Sequence, residues 1–438
     1  MKNRPNILFV LTDQLSACAL GCMGNPDIET NAIDSLASSG TLFETSYCTQ
    51  PICTPSRGSM FTGLMPHECG TTTNNLSIHE HLREQELGNI LARSGYECIY
   101  GGYWGVPEGA MPEGNDHGFR PICGGNDNLL AEACGEVLKE RAASAAGRAN
   151  PFFLVVSFFN PHNVCEYARN MQLPLGPIGD PPSLDECPNL PPNFLIPPFE
   201  PEIIRVVQQH NWSAYPYRDS SPEDWRRLRW GYYRIIEKVD REIGKILSDI
   251  REYGLDEDTL VVLSSDHGEG HGAHRWNQKS ILYEEVVRVP LIVRAPRGRA
   301  GHVDRTHLVS TGLDIVPTLC DYAGIEPPAN LRGRSLRPLV EGLPQEAWRD
   351  AVFVETVLDS YGGGRAVRTD RYKYIVYDRG RYPEQLFDMN ADPGEMVNLA
   401  VESRHSGVLH GHRTLLREHL HLTKDNFRFP GHICIHGS

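Results

Sequence analysis

The run Asn6-Ile7-Leu8-Phe9-Val10-Leu11, closed by Thr12-Asp13-Gln14, decides the fold. Five successive apolar side chains fall far short of the roughly 20 that span a membrane. They are also too continuous for a strand with one wet face, so the run predicts a strand buried on both sides of a sheet. The basic start Met1-Lys2-Asn3-Arg4 imitates an export signal, but the apolar stretch is short and lacks a small-residue cleavage site. Similar runs, Glu97 to Tyr100, Phe152 to Phe158, Thr259 to Ser264 and Pro290 to Arg294, alternate with helical stretches such as Thr30 to Ser39. That alternation predicts an α/β fold with a large, mostly parallel sheet sandwiched by helices.

Outward from these strands, Ser221 to Tyr253 carries Arg, Glu, Ile and Trp at helical spacing and predicts one long amphipathic helix. The Pro-rich tract Pro174 to Pro201 predicts irregular chain, and with Pro107 to Asn128 it is a candidate for shaping a binding site. From about residue 346 the pattern changes to short runs, Ala351 to Glu355, Gly364 to Thr369, Tyr372 to Tyr377 and Glu384 to Asp388, followed by a helix near Arg413 to His421. This predicts two parts, a main α/β domain over 1–345 and a smaller α+β subdomain with an antiparallel sheet over 346–438.

With 42 Lys and Arg against 56 Asp and Glu, the formal charge of −14 argues against a nucleic-acid partner. Any anionic substrate must then be captured by a local cluster of positive charge. No membrane span is expected; the chain as given reads as soluble and cytoplasmic, or periplasmic or secreted if an export signal was removed. The twelve cysteines show no zinc spacing and no C-x-x-C pair, so most are expected to be buried thiols.

In open α/β sheets ligands collect at the carboxyl ends of strands. Two runs end in chemistry-bearing side chains: Asp13 with Gln14, and Asp266 with His267. Either alone reads more readily as a cap on the following helix or turn. Together they offer oxygens and one nitrogen, a set suited to a hard divalent cation.

The segment Cys53-Thr54-Pro55-Ser56-Arg57, followed by Gly58-Ser59-Met60-Phe61-Thr62-Gly63, resembles the signature of type I sulfatases, in which the cysteine is oxidised to formylglycine. The resemblance covers nearly the whole chain. It includes Arg4-Pro5-Asn6-Ile7-Leu8, Ser265-Asp266-His267-Gly268-Glu269, Lys279 with Tyr283-Glu284-Glu285, Gly333-Arg334-Ser335-Leu336, Arg371-Tyr372-Lys373-Tyr374 and Asp392-Pro393-Gly394-Glu395. It implies the alkaline-phosphatase-like architecture and hydrolysis of sulfate esters, with a sulfated carbohydrate as the default substrate. It also implies maturation by a formylglycine-generating enzyme. One divalent cation is implied, Ca2+ first and Mg2+ or Mn2+ as alternatives, held by Asp13, Gln14, Asp266, His267 and an oxygen of modified Cys53. The resemblance further implies that Arg57 supports the formylglycine, that His162 in Asn160-Pro161-His162 contacts substrate, and that Lys279 binds the sulfuryl oxygens.

In one place the chain departs from that family. Sulfatases usually carry Gly-Lys-Trp-His where this chain reads Gly102-Tyr103-Trp104-Gly105. An ammonium and an imidazole are lost. Tyr103 can offer a phenolic hydroxyl to substrate instead, as a tyrosine does in the related phosphonate monoester and phosphodiester hydrolases. Those activities, and a non-catalytic binder of sulfated glycans, are the alternatives to a sulfatase.

Overall fold

A computed structural model describes residues 4–107, 111–143, 150–344 and 347–431. Residues 1–3, residues 108–110 of the Pro107 to Asn128 segment, and the expected domain boundary at 345–346 lie outside the described residues.

The strands are β1 (Asn6–Asp13), β2 (Thr41–Phe43), β3 (Ser46–Tyr47), β4 (Glu97–Gly102), β5 (Arg120–Cys123), β6 (Phe152–Pro161) and β7 (Thr259–Ser265). They continue with β8 (Leu291–Arg294), β9 (His302–Asp304), β10 (Val309–Ser310), β11 (Ala351–Val357), β12 (Gly363–Thr369), β13 (Tyr372–Tyr377) and β14 (Glu384–Asp388). Eight of them form one sheet in the order β5-β4-β6-β1-β7-β8-β2-β9. The neighbours of β1, which are β6 and β7, are both parallel to it, and β4 is parallel to β6. The apolar run at Pro290 becomes β8, which is antiparallel to both β7 and β2, so the sheet is mixed at that side.

Strand β1 shows why the sheet is covered on both faces. Ile7 to Leu11 are all 0% exposed. Leu8 and Val10 pack in one cluster with Ile235, Ile236 and Ile243, while Ile7, Phe9 and Leu11 pack in another with Met60, Phe61 and Ile315. Burying each such side chain contributes roughly 1.5–3 kcal/mol, and the strand period of two sends alternate residues to opposite layers. The first layer includes α1 (Asn31–Ser39) and the long helix Pro222–Glu252; the second includes α2 (Cys53–Thr62) and the helix Thr311–Ala323. The long helix begins where Ser221 Oγ accepts from Asp224 N and Asp224 Oδ2 accepts from Ser221 N, a reciprocal cap with Pro222 next to it.

Strands β11 to β14 form a separate antiparallel meander. One of its faces shares a core with the large sheet's flank, through Val354, Ile375 and Phe387 against Trp276, Ile281 and Tyr283. The other is covered by the helix Ser406–Thr423, which is longer than the expected Arg413 to His421. The Pro174 to Pro201 tract is irregular apart from one 3-10 turn, Leu184–Glu186. Among the described residues every cysteine is a free thiol, and no helix is long and apolar enough to cross a membrane.

Candidate active site

Strands β4, β6, β1 and β7 are consecutive and parallel, so their carboxyl ends open on one edge of the sheet. Tyr103 follows β4, His162 follows β6, Asp13 ends β1 with Gln14 next, and Asp266 and His267 follow β7. Cys53 and Arg57 come from the first turns of α2, and Lys279 from the loop after β7. The main chain at Gln14 turns sharply (φ 74), and five further non-glycine residues with positive φ, His271, His274, Arg275, Gln278 and Ser280, lie in the loop that carries Lys279. Such strain concentrates at functional sites.

Cys53 Sγ stands at the centre. It lies 2.9 Å from Lys279 Nζ, 3.3 Å from His267 Nε2 and 3.6 Å from Asp13 Oδ1. One ligand atom from each of Asp13, Cys53, Asp266 and His267 falls within 4.8 Å of the others. Arg57 ties the two carboxylates together, donating from Nε to Asp266 Oδ2 (2.8 Å) and from a terminal nitrogen to Asp13 Oδ2 (3.3 Å). Its other terminal nitrogen donates to Ser157 Oγ (2.8 Å) and the Tyr103 carbonyl (3.1 Å). Asp13, Asp266, His267 and Arg57 are wholly inaccessible, whereas Lys279 and His162 are partly exposed.

Asp266 and His267 already stand in the form a cation takes, whereas Asp13 must release a proton to receive one. Burial, then Asp266 beside it, pushes the Asp13 carboxyl up to about 8. Burial also acts to raise Asp266, but His267 beside it and the Arg57 guanidinium hold it below the usual carboxylate range. Burial holds His267 down at about 3, so its ring is neutral. His267 Nδ1 lies 2.9 Å from the Gly268 carbonyl, which can only accept; Nδ1 therefore carries the proton and Nε2 presents a lone pair. That lone pair faces Asp13 Oδ1 at 3.8 Å and Asp266 Oδ1 at 3.6 Å. Converging acceptors of this kind, two oxygens and one nitrogen, fit a divalent metal ion. Two other clusters bring three such groups together: His67, Glu355 and Asp425, where Arg365 pairs with Asp425, and His274, Glu285 and Glu395, where Lys373 pairs with Glu395.

Lys279 stays an ammonium, since Cys53 and Asp13 outweigh the burial that would lower its pKa. Burial, then the Lys279 charge, holds His162 neutral, and its Nδ1 has no hydrogen-bond partner among the described residues. Around position 105 the structure explains the missing imidazole. A side chain built at Gly105 (φ +73) would bring its Cβ within 2.7 Å of Arg57 Cδ and 2.9 Å of Tyr103 Cε1. Arg57 lies over the Tyr103 ring at 4.7 Å, and Tyr103 meets Phe159 edge-on at 5.0 Å, with Phe159 in turn against His162. An aromatic wall fills the place.

Three further residues of the centre are given no role by the sequence patterns above. Ser157 accepts from Arg57; Tyr232, on the long helix, donates to the Gln14 carbonyl at 2.7 Å; and Glu269 accepts from Gln14 Nε2 at 2.5 Å. Glu269 had a signal, standing just beyond Asp266-His267-Gly268 at a strand end. Tyr232 had none, because helical spacing marks it only as core.

A family model described as Sulfatase matches residues 5–325, and one described as N-sulphoglucosamine sulphohydrolase, C-terminal, matches 272–421. A delta 4,5-hexuronate-2-O-sulfatase of Bacteroides thetaiotaomicron is 30% identical, covering 98% of this chain and 91% of its own. A solved 2-O GAG sulfatase superposes with a TM-score of 0.84 at 29% identity, over 97% of this chain and 93% of its own. The phosphonate monoester hydrolase of Agrobacterium radiobacter superposes with a TM-score of 0.74 at 24% identity, over 96% of each chain. At that identity the likeness is one of fold.

Proposed function

The chain belongs to the sulfatase family, and from that premise we propose that it hydrolyses the sulfate ester of a sulfated carbohydrate, with Cys53, oxidised to formylglycine, as the source of the nucleophile. The observation that carries this is the position of Cys53 Sγ, 2.9 Å from the Lys279 ammonium and 3.3 Å from the lone pair of His267. Asp13, Gln14, Asp266 and His267 would hold one divalent cation, Ca2+ before Mg2+ or Mn2+. A cation there supplies charge neutralisation and raises the acidity of a nearby hydroxyl. Sulfur is a poor donor to such a hard ion, and an oxygen at position 53 is a better one.

The chain's own groups then divide the work. Arg57 spends its donors on Asp13, Asp266, Ser157 and main chain, so it sets the carboxylates in place and stays clear of substrate. Lys279, partly exposed, takes the nonbridging oxygens of the ester. Burial, then the Lys279 charge, keeps His162 neutral; a bound anion beside Lys279 offsets the second of these and favours a protonated His162, which gives its proton to the leaving sugar oxygen. Tyr103 offers a neutral phenol where an ammonium is customary. That lower positive charge favours singly charged esters and keeps phosphonate monoesters as the second reading.

The test is intact-mass analysis of the Cys53 peptide combined with turnover of matched aryl sulfate and aryl phosphonate esters. A 2-O-sulfated unsaturated hexuronate, taken from the relative's name, is the first sugar to try. Aldehyde at position 53 with sulfate turnover supports the proposal, and faster phosphonate turnover promotes the second reading. Aldehyde with no turnover of any ester leaves a glycan binder. A Cys53→Ala chain with full activity removes both hydrolase readings.

A further inference from the structure

Gln14, like His267 in the proposed metal set, has a side chain with two unlike ends. An amide oxygen can ligate a cation; an amide nitrogen, with its two hydrogens, repels it. Something must choose between them, and the neighbours of Gln14 do so.

At one end of the amide lies Glu269, 1% exposed, whose Oε2 is 2.5 Å from Gln14 Nε2. Its Oε1 accepts main-chain N–H groups from Gln278 (2.6 Å) and His271 (3.3 Å). A carboxylate only accepts, so the end of Gln14 that faces it must be nitrogen. At the other end lies Lys279 Nζ, 3.1 Å from Gln14 Oε1. An ammonium only donates, so that end must be oxygen, and Lys279 also touches Cys53 at the centre of the site. The main chain of Gln14 cannot swing to compensate. Its N–H donates to Asp266 Oδ1 (3.1 Å), and its carbonyl accepts from Tyr232 (2.7 Å).

We propose that Glu269 is a positioning residue that fixes the Gln14 carboxamide with its oxygen toward the metal position and its nitrogen away from it. The role presupposes the metal site of the preceding subsection. It goes beyond the ligands themselves, because Glu269 would not touch the ion.

Substitution Glu269→Gln tests this with almost no change of shape. The N–H groups of Gln278 and His271 belong to the main chain and still require an oxygen at one end of residue 269. The new amide nitrogen therefore faces Gln14, which must answer with its oxygen and turn its own nitrogen on the cation. Calcium chloride is titrated calorimetrically into full-length chain stripped with chelator. Glu269→Gln is expected to bind Ca2+ about 10–100-fold more weakly, the usual effect of a partner behind a metal ligand, with the melting temperature of the stripped protein near that of wild type. The transposed double variant, Gln14→Glu with Glu269→Gln, places oxygen at both ends of residue 14 and is expected to recover the lost affinity. A merely structural role for Glu269 would not allow that recovery, and the double variant stays informative even where the single variant folds poorly.

Unchanged Ca2+ affinity in Glu269→Gln, or a double variant as weak as the single one, overturns the proposal. If wild type binds none of Ca2+, Mg2+ and Mn2+, the metal site itself fails and the proposal with it. Tight wild-type binding with an insensitive variant removes only the role of Glu269.

Discussion

Replacing Gly105 by alanine isolates why this centre has no imidazole opposite Cys53. Gly105 sits at φ +73, where a non-glycine residue costs about 1–2 kcal/mol. The new Cβ would lie 2.7 Å from Arg57 Cδ, 2.9 Å from Tyr103 Cε1 and 3.1 Å from Arg57 Nε. Arg57 cannot retreat, since Asp266, Asp13 and Ser157 hold its guanidinium, so crowding adds about 1–3 kcal/mol. Restriction of the unfolded chain returns about 0.4–1 kcal/mol, which leaves a net loss of about 1–4.5 kcal/mol. Gly24 is the matched control: it has φ +91 and nothing within 4 Å of an added Cβ, so Gly24→Ala bears the conformational cost alone. Because thermal unfolding of a chain this long is often irreversible, the two variants are compared by inactivation rate at one fixed temperature. Gly105→Ala should inactivate well before Gly24→Ala and lose kcat/KM on an aryl sulfate, since the crowding falls on the side chain that holds both aspartates in place. Gly105→His carries the same Cβ and should lose activity further rather than gain a base. Equal inactivation of the two alanine variants, with kcat/KM intact, would refute the crowding and leave the missing imidazole unexplained.

His162→Ala should lower kcat by about 10²–10⁴-fold on sugar sulfates and much less on a nitrophenyl sulfate, whose leaving group needs no proton; equal losses on both would remove the acid role. Lys373 is 1% exposed and pairs with Glu284 at 3.0 Å and Glu395 at 2.8 Å, so Lys373→Met strands two buried carboxylates and should cost about 3–5 kcal/mol. Limited proteolysis that fails to release the segment 347–431 faster in that variant would contradict it. His67 has a raised pKa: burial opposes the charge, but the Glu355 hydrogen bond and the charges of Glu355 and Asp425 prevail. Its stabilising contribution is therefore complete below the ordinary histidine value of about 6.5 and fades as pH rises through the raised one. The melting-temperature gap between wild type and His67→Gln should widen as pH is lowered from about 9 to about 6, and a constant gap would rule the linkage out.

Much of this protein can be read along the chain because its central strands are buried on both faces. Continuous apolar runs such as Ile7 to Leu11 mark such strands without help from tertiary context, and the polar residues that close them, Asp13, Gln14, Asp266 and His267, lie at one edge because consecutive parallel strands end together. Cys53 and Arg57 are legible as a motif, and the long helix by its spacing. Short pieces such as β2, β9 and β5 are not legible, since three or four residues carry too little pattern, and the direction of β8 depends on a connection that periodicity does not encode. Only the folded chain decides that Arg57 is enclosed by two carboxylates, a serine and main chain, that Gly105 has no room for a side chain, and that Glu269 and Lys279 hold the two ends of the Gln14 amide while Tyr232 holds its main-chain carbonyl. Those facts depend on angles and separations of a few ångströms between segments up to 255 residues apart. Residue type and order determine which groups are available; packing determines which of their atoms face one another.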